Sequence, residues 1–474
     1  MSRTARLAQA GLLTVLLAAL AVPVGINLAP ALVVPKDAQS EASVPAAQRP
    51  PQQLSQVSVV GGLNKDAPLP AQQQLSDLLD ASLKSPIGSL SGQVVDALSG
   101  QVLYGRDPDQ PVIPGSNLKL LTALSVLKNL GTDHRFSTKV LRGSTPNQLI
   151  LQAGGDVLLS SGASVPEATN GHAGLLTLAQ LTAKALGKVD VPVSIVVDDS
   201  LFSGPALSPE WQPEDVAAGE IAPIYPMALN SAVPEGLKSS AARPQDSALA
   251  VAQAFAAALG KQGVPVDSEV SRRPADSPKL DPSAGQELAA VDSATVAEQV
   301  NYMLANSDNY LAEVLARLAA VQQNKAGDFS EATTLVTETL TSLGLKTDGL
   351  VIADNSGLAI RDRVSAAQLT QAVKVMTSDS DPALHSALSG LPIGALTGTL
   401  SQRYNVPSTI DGAGVVRAKT GTLNTVLTLS GYVVDRDGRL LIFSFMANNL
   451  TGGPATAQPV LDKAAAVLAG CGCR

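Results

Sequence analysis

Cysteine is almost missing from this chain. Of its 474 residues only Cys471 and Cys473 are cysteines, both in the terminal Cys-Gly-Cys-Arg. A disulfide between them would close a very tight ring, and neither His nor Lys stands beside them to activate a thiol. The pair reads as a feature of the tail rather than as a catalytic thiol. Histidine is scarce too: His134, His172 and His385 lie far apart, and no His/Cys/Asp cluster has metal-ligand spacing. A metal mechanism has no ligands to stand on, and no cofactor is expected. Charged residues make up 16% of the chain and the net charge is −8, with no basic stripe interleaved with aromatics. Nucleic acid is therefore not an expected partner. No internal repeat is visible.

What is present is mostly aliphatic. Hydrophobic residues amount to 45%, and the length suffices to bury a sizeable core and fold as more than one domain. At the amino terminus Arg3 and Arg6 precede an apolar run from Leu7 to Val22 that continues less cleanly to Val34. A positive region followed by an apolar one reads as an export signal, so the expected location is extracytoplasmic, in the cell envelope. Ala29-Pro30-Ala31 offers small residues for cleavage, whereas 7–34 taken whole is long enough to span a bilayer as an uncleaved anchor. Both remain open: secreted, or held to the membrane by residues 1–34. No cysteine follows the run, which excludes a lipid-modified cysteine. Residues 35–72, rich in Pro, Gln and Ser, read as a disordered tether.

The folded part begins near Leu75. Ser91–Leu103 reads as two strands turning at Leu98-Ser99-Gly100. Pro114-Gly115-Ser116 then leads into a helix over Asn117–Leu130, with Leu118, Leu121, Leu124 and Leu127 at helical spacing. Residues 141–289 differ in texture: short apolar strands such as Gln148–Gln152 and Val191–Val197, helices over Leu175–Leu186 and Ala248–Leu259, then a Pro/Ser/Asp-rich stretch to Gly285. This reads as an inserted domain dividing a domain made of 73–140 and 290–470. Helices follow over Thr295–Leu304, Tyr310–Val321, Glu331–Leu343 and Ala366–Met376. Strands over Gly414–Leu423, Val426–Val434 and Leu440–Met446 and a last helix, Pro459–Leu468 closed by Gly470, end the chain.

Three short motifs carry chemistry. Ser116-Asn117-Leu118-Lys119 opens a helix, and residues three apart share a face, so hydroxyl and amine can meet. The helix amino terminus favours a developing alkoxide, and burial would make the lysine a neutral base. Alone it is weak, since Ser-x-x-Lys arises by chance about twice in a chain this long. Ser307-Asp308-Asn309 lies between two apolar helical runs, where the same residues serve as ordinary caps. In a site, Ser307 would relay a proton and the Asn309 amide would hold a peptide backbone. Lys419-Thr420-Gly421-Thr422 sits on a strand where glycine lets a ligand lie close and Lys and Thr can meet a carboxylate. Lys-Thr-Gly alone occurs in roughly one such chain in ten. All three together, in this order, are the signature set of penicillin-binding proteins and related β-lactamases.

With these residues the chain resembles the D-alanyl-D-alanine carboxypeptidase/endopeptidase family of low-molecular-mass penicillin-binding proteins with an inserted domain. Gly154-Gly155-Asp156, Val196 to Phe202, Glu210-Trp211, Ala222 to Asn230, Asn306 to Glu313 and Asp354 to Leu358 add to the likeness. The resemblance implies an α+β, transpeptidase-like fold: an antiparallel sheet flanked by helices, an all-helical part, and an inserted, strand-rich domain. The 188 positions between Lys119 and Ser307 leave room for that insert. It also implies that Ser116 is acylated with Lys119 as its base, and that Ser307, Asn309 and Lys419 complete proton transfer and electrostatics. Thr420, Gly421 and Thr422 would take the D-alanine carboxylate, and the backbone N–H groups of Ser116 and Thr422 the oxyanion.

Asp198 resembles an acidic residue facing the amino group of the diamino acid. Ile360 stands where the family usually has arginine, with Arg361 one place on, so Asp198 and Arg361 join Thr420, Gly421 and Thr422 as the expected substrate-binding residues; Gly115 stands where alanine is common. The implied partners are peptidoglycan stem peptides, with β-lactam antibiotics as covalent inhibitors. Two other readings use the same residues: a β-lactamase or esterase of this fold, and a non-catalytic wall-binding protein that has kept it.

Overall fold

The computed structural model describes residues 66–84, 88–234, 243–274 and 286–471. The export run, nearly all of the tether, the stretch before Gly285 and Cys473 lie outside the described residues. Helix α1 (Gln72–Ser82) buries Leu75 and Leu79, one turn apart. Strands β1 (Ser89–Asp96) and β2 (Val102–Arg106) form the expected antiparallel pair. A 3₁₀ turn, Gly115–Asn117, leads into α2 (Leu118–Leu130). Every residue of α2 from Leu118 to Leu127 is buried, the pattern of a helix enclosed on all sides.

Next come β3 (Ser137–Arg142), β4 (Gln148–Gln152), α3 (Leu175–Leu186), β5 (Val193–Asp198), α4 (Pro213–Ala217), α5 (Ser247–Lys261), β6 (Val266–Arg272) and β7 (Glu287–Asp292). The chain closes with α6 (Val296–Asn306), α7 (Asn309–Gln322), α8 (Phe329–Ser342), α9 (Ala366–Thr377), β8 (Arg417–Leu423), β9 (Val426–Val434), β10 (Leu440–Asn448) and α10 (Pro454–Gly470).

One sheet runs β2-β1-β10-β9-β8 and is antiparallel throughout. Its central strand β10 is buried along its whole length and feeds two cores by alternation. Ile442 and Met446 join the core of α2, α6, α7 and α9; Leu441, Phe443 and Phe445 join that of α1 and α10. Each such side chain contributes about 2 kcal/mol on burial, so two layers of helix are held by one strand. Strand β8 pairs only with β9 within the sheet. On its other side Arg417 bridges Ile393 and Ala418 N donates to the Pro392 carbonyl (3.0 Å), so the edge left for a ligand is the later part, from Lys419 on.

The second sheet runs β6-β5-β4-β3-β7 and is mixed, with β4–β5 and β5–β6 parallel. Helices α3 and α5 pack on it through Leu175, Leu178, Val251 and Phe255. Strands β3, β6 and β7 carry no clear sequence signal; β6 is an edge strand whose Asp267, Ser268 and Glu269 are exposed. The last helix departs from expectation at both ends. It starts at Pro454, where a missing N–H costs nothing, encloses Pro459, and includes Gly470 as its final residue rather than as a stop beyond it. Cys471 is disulfide-bonded. No helix among the described residues is long and apolar enough to cross a membrane.

Candidate active site

The Ser116 turn is fixed against the open-edged strand before any catalytic group is considered. Thr428 Oγ1 donates to the Pro114 carbonyl (2.7 Å), and Asn117 Nδ2 donates to Ser430 Oγ (2.9 Å), so β9 grips the turn on both sides of Gly115 and Ser116. A Cβ on Gly421 would lie 2.7 Å from Pro114 O and 3.0 Å from Ser116 N. Only glycine lets β8 lie flush with the turn. The position of a Cβ on Gly115 lies 3.3 Å from Thr422 N, so the Ser116 and Thr422 backbones border one space.

The Ser307 segment is the joint between α6 and α7. Ser307 closes α6 in the left-handed region (φ 58°, ψ 38°), and Asp308 caps α7, accepting from Leu311 N at 3.0 Å. A left-handed non-glycine residue costs on the order of 1 kcal/mol and marks a position held by its surroundings. The capping role foreseen for these residues is real. The same backbone turn carries the Ser307 and Asn309 side chains toward the two lysines.

Lys119 Nζ donates to Ser116 Oγ (2.9 Å), Asn309 Oδ1 (2.7 Å) and the Ser356 carbonyl (2.7 Å). Lys419 Nζ donates to Ser307 Oγ (2.9 Å) and the Thr420 carbonyl (2.8 Å). Both lysines are 0% exposed, and neither has a carboxylate among these hydrogen-bond partners. Removing an ammonium from water costs several kcal/mol. Burial accordingly pushes Lys119 down to about 8, against the opposing pull of Asp354, Asp308, Glu313 and Asp362. Lys419 falls well below the ordinary lysine value through burial and then through the charge of Lys119. A readily neutralised amine in contact with a hydroxyl is a base and nucleophile pair, and a second hydroxyl and amine stand ready to return a proton.

Thr420 is buried and shares a hydrogen bond with Thr399 (Oγ1 to Oγ1, 2.7 Å), while Thr422 is exposed. Asn309 is engaged at both ends of its amide: its oxygen accepts from Lys119 and its Nδ2 donates to the Glu220 carbonyl at 3.0 Å. Asp198, at the end of β5, is buried, accepts from Ser200 N (3.3 Å) and lies 3.9 Å from Arg273. Arg361 is 69% exposed and pairs with Glu210 at 2.7 Å. No hydrogen bond among the described residues joins Asp198 or Arg361 to the serine–lysine cluster.

Sequence reasoning assigned no role to Ser356, Thr399, Glu220, Glu313 or Asp354. Asp354-Asn355-Ser356-Gly357 counted toward the family likeness, but its composition is that of a turn and points to no particular contact. A cavity of about 460 Å³, lined by Gln74, Asp411, Arg436 and Lys463, belongs to the α1 and α10 side and contains none of these groups.

An antiparallel sheet backed by helices, with a Ser-x-x-Lys turn seated on a Lys-Thr-Gly edge strand, defines the class of serine-active penicillin-binding enzymes. A family model described as the D-Ala-D-Ala carboxypeptidase 3 (S13) family matches residues 75–236 and 230–469, and the chain belongs to that family. The carboxypeptidase DacB of Mycolicibacterium smegmatis is 33% identical over 463 residues, 96% of each chain. Carboxypeptidase Rv3627c of Mycobacterium tuberculosis is 33% identical over 390 residues, 82% of this chain and 81% of that one. The crystal structure of penicillin-binding protein 4 from Haemophilus influenzae matches with a TM-score of 0.67 at 20% identity, covering 82% of this chain and 97% of that chain. That last likeness establishes the fold. The enzyme is a serine-type D-Ala-D-Ala carboxypeptidase of the penicillin-binding class.

Proposed function

We propose that Ser116 is the acylated residue and Lys119 its base. The observation that carries this is the 2.9 Å contact between Lys119 Nζ and Ser116 Oγ, with the amine wholly buried and shifted toward neutrality. Ser116 Oγ attacks the carbonyl carbon between the two D-alanines while its proton passes to Lys119. The oxyanion forms beside the Ser116 and Thr422 backbone N–H groups. The C–N bond then breaks, and Ser307, held by Lys419, hands a proton to the departing D-alanine nitrogen. Water hydrolyses the ester and restores Ser116. Asn309 holds Lys119, and Thr420 and Thr422, with Gly421 keeping the strand close, receive the terminal carboxylate. The same steps on a D-alanyl cross-link give endopeptidase action, and a β-lactam would stop at the acyl-enzyme.

For the division into a catalytic domain (73–140 and 290–470) and an insert (141–289), the second sheet with its own core supports an insert. However, β3 and β7 of that sheet straddle both bounds, and Trp211, Ile221 and Ile224 join the first core instead. Export, as a secreted or membrane-anchored form, rests on Arg3, Arg6 and the apolar run. We place Arg361, exposed and paired with Glu210, at the rim, and give Asp198, buried beside Arg273, no part in the chemistry. The test is labelling by a fluorescent penicillin together with mass spectrometry of muropeptides. The wild type is expected to label and to release D-alanine, and Ser116→Ala to do neither. Labelling that survives Ser116→Ala refutes the assignment.

A further inference from the structure

Lys119 is held by a loop, Asp354 to Ala359, whose first five residues add to the family likeness without a role being assigned to any of them. We propose that Asp354 is a positioning residue for Lys119, acting by folding the 354–359 loop onto α2, and that Trp211 fixes Asp354 in turn. The proposal rests on reading Lys119 as the base.

Asp354 is 0% exposed and its two oxygens gather six donors. Oδ1 accepts from Ser356 N (3.1 Å) and Gly357 N (2.7 Å). Oδ2 accepts from Ser356 Oγ (2.9 Å), Leu358 N (3.1 Å), Ala359 N (2.9 Å) and Trp211 Nε1 (2.9 Å). A loop wound around one carboxylate has its carbonyls aimed outward, and two of them meet α2. The Ser356 carbonyl takes the Lys119 ammonium at 2.7 Å, and the Asn355 carbonyl takes Thr122 Oγ1 at 2.7 Å, one turn further along. Gly357 completes the seat: at φ +80° it passes so near the nucleophile's turn that a Cβ would lie 2.0 Å from Gly115 O. The loop thus touches the residue before Ser116, then Lys119, then Thr122.

Trp211 stands between β5 and α4, in the stretch of chain that separates Lys119 from Ser307. Its ring lies edge-on to Phe329 at 5.3 Å and is 5% exposed, so its indole N–H has a fixed direction. The charged groups acting on Lys119 are Asp354, Asp308, Glu313 and Asp362, together with Lys419. Of these acids Asp354 exerts the largest pull. Its negative charge holds the ammonium form, and its loop holds the geometry.

The experiment measures acylation by a fluorescent penicillin, resolved into the limiting rate and the apparent affinity across pH. The wild type is compared with Asp354→Asn, Trp211→Phe and Lys119→Met. Trp211→Phe keeps an aromatic ring against Phe329 and deletes the donor, together with part of the buried ring. It is expected to lower the limiting rate about tenfold with unchanged affinity. Asp354→Asn is expected to lower the rate about a hundredfold. It also moves the rising limb of the pH profile to lower pH, because a lysine without that carboxylate loses its proton sooner. A purely structural role would lower the rate without moving the limb. Folded variants that acylate as the wild type does, or an Asp354→Asn limb that stays in place, overturn the proposal. Should Asp354→Asn not fold, Trp211→Phe decides alone, since a wild-type limiting rate there defeats the proposal. Wild-type acylation by Lys119→Met would instead defeat the reading of Lys119 as base, which separates the two failures.

Discussion

The cleft and the far end of the first sheet bury charge in opposite ways. At the far end Arg403 meets Asp462 of α10 in a double contact (Nε to Oδ1 2.9 Å, Nε to Oδ2 3.1 Å), and Arg439 Nη2 meets Asp96 at 2.7 Å. Each cation there has its own carboxylate. In the cleft Lys119 and Lys419 are buried more completely, and their hydrogen-bond partners are hydroxyls and carbonyls. Paired charges make a structural joint, whereas a buried amine surrounded by neutral acceptors is poised to give up its proton. One region uses buried charge for structure; the other keeps it reactive at the expense of stability.

The largest expected effect separates those two uses. Lys119→Met removes the base and is expected to lower penicillin acylation by at least about a thousandfold. It also deletes an unpaired buried ammonium, so the midpoint of urea unfolding should rise, by about 1 kcal/mol of stability. The pH dependence follows from the direction of the shift. A lysine at about 8 when folded and 10.5 when unfolded leaves the unfolded chain holding more protons between those values. Stability from this group is therefore fully present above 10.5 and is lost as pH falls through about 8. The part of the slope due to Lys119 should vanish in Lys119→Met, leaving the part due to Lys419, and wild-type acylation should rise with pH through the same region. A Lys119→Met protein that is inactive and also markedly less stable would break the contrast.

Asp462→Ala should show the reverse. It strands Arg403 as an uncompensated buried cation and is expected to destabilise the fold by about 3–5 kcal/mol. The acylation rate per folded molecule should stay near the wild-type value, as titrated active sites would reveal. A smaller effect is expected from Gly357→Ala, at about 2 kcal/mol from the left-handed φ and the contact with Gly115 O. Here stability and acylation should fall together, because the displaced loop carries the Ser356 carbonyl away from Lys119.

The contrast also explains what was legible in the sequence. Ser116, Lys119, Ser307 and Lys419 stood out because short motifs on a helix start, an inter-helix joint and an edge strand depend on local spacing. The helices α2, α6, α7 and α9 and the meander from β8 to β10 were legible for the same reason. Asp354, Trp211 and Thr399 act through contacts between residues far apart in the chain, such as Trp211 to Asp354 across 143 positions. No local pattern announces such a partner. Strands β3 and β7 close the second sheet by pairing with one another across the intervening chain, and the exposed β6 has no alternation to betray it. The resemblance placed Arg361 and Asp198 near substrate; the structure gives each an existing ionic partner.

Arg361 supplies the smallest effect and a third kind of charge. Its guanidinium is 69% exposed and meets Glu210, itself 23% exposed, at 2.7 Å. Water screens such a pair, and two long side chains must be held still to make it, so its net contribution is small. Arg361→Ala is expected to change unfolding stability by less than about 0.5 kcal/mol. Acylation by a small β-lactam should be unchanged, because neither Ser116 nor either lysine loses a contact. Any effect must then appear only with longer stem peptides, as a change in KM with kcat preserved, since a rim contact would bind ground state and transition state alike. A fall in kcat with a small substrate would mean that the Arg361–Glu210 pair reaches the reacting atoms through the adjacent Trp211, joining the exposed charge to the buried ones instead of setting it apart.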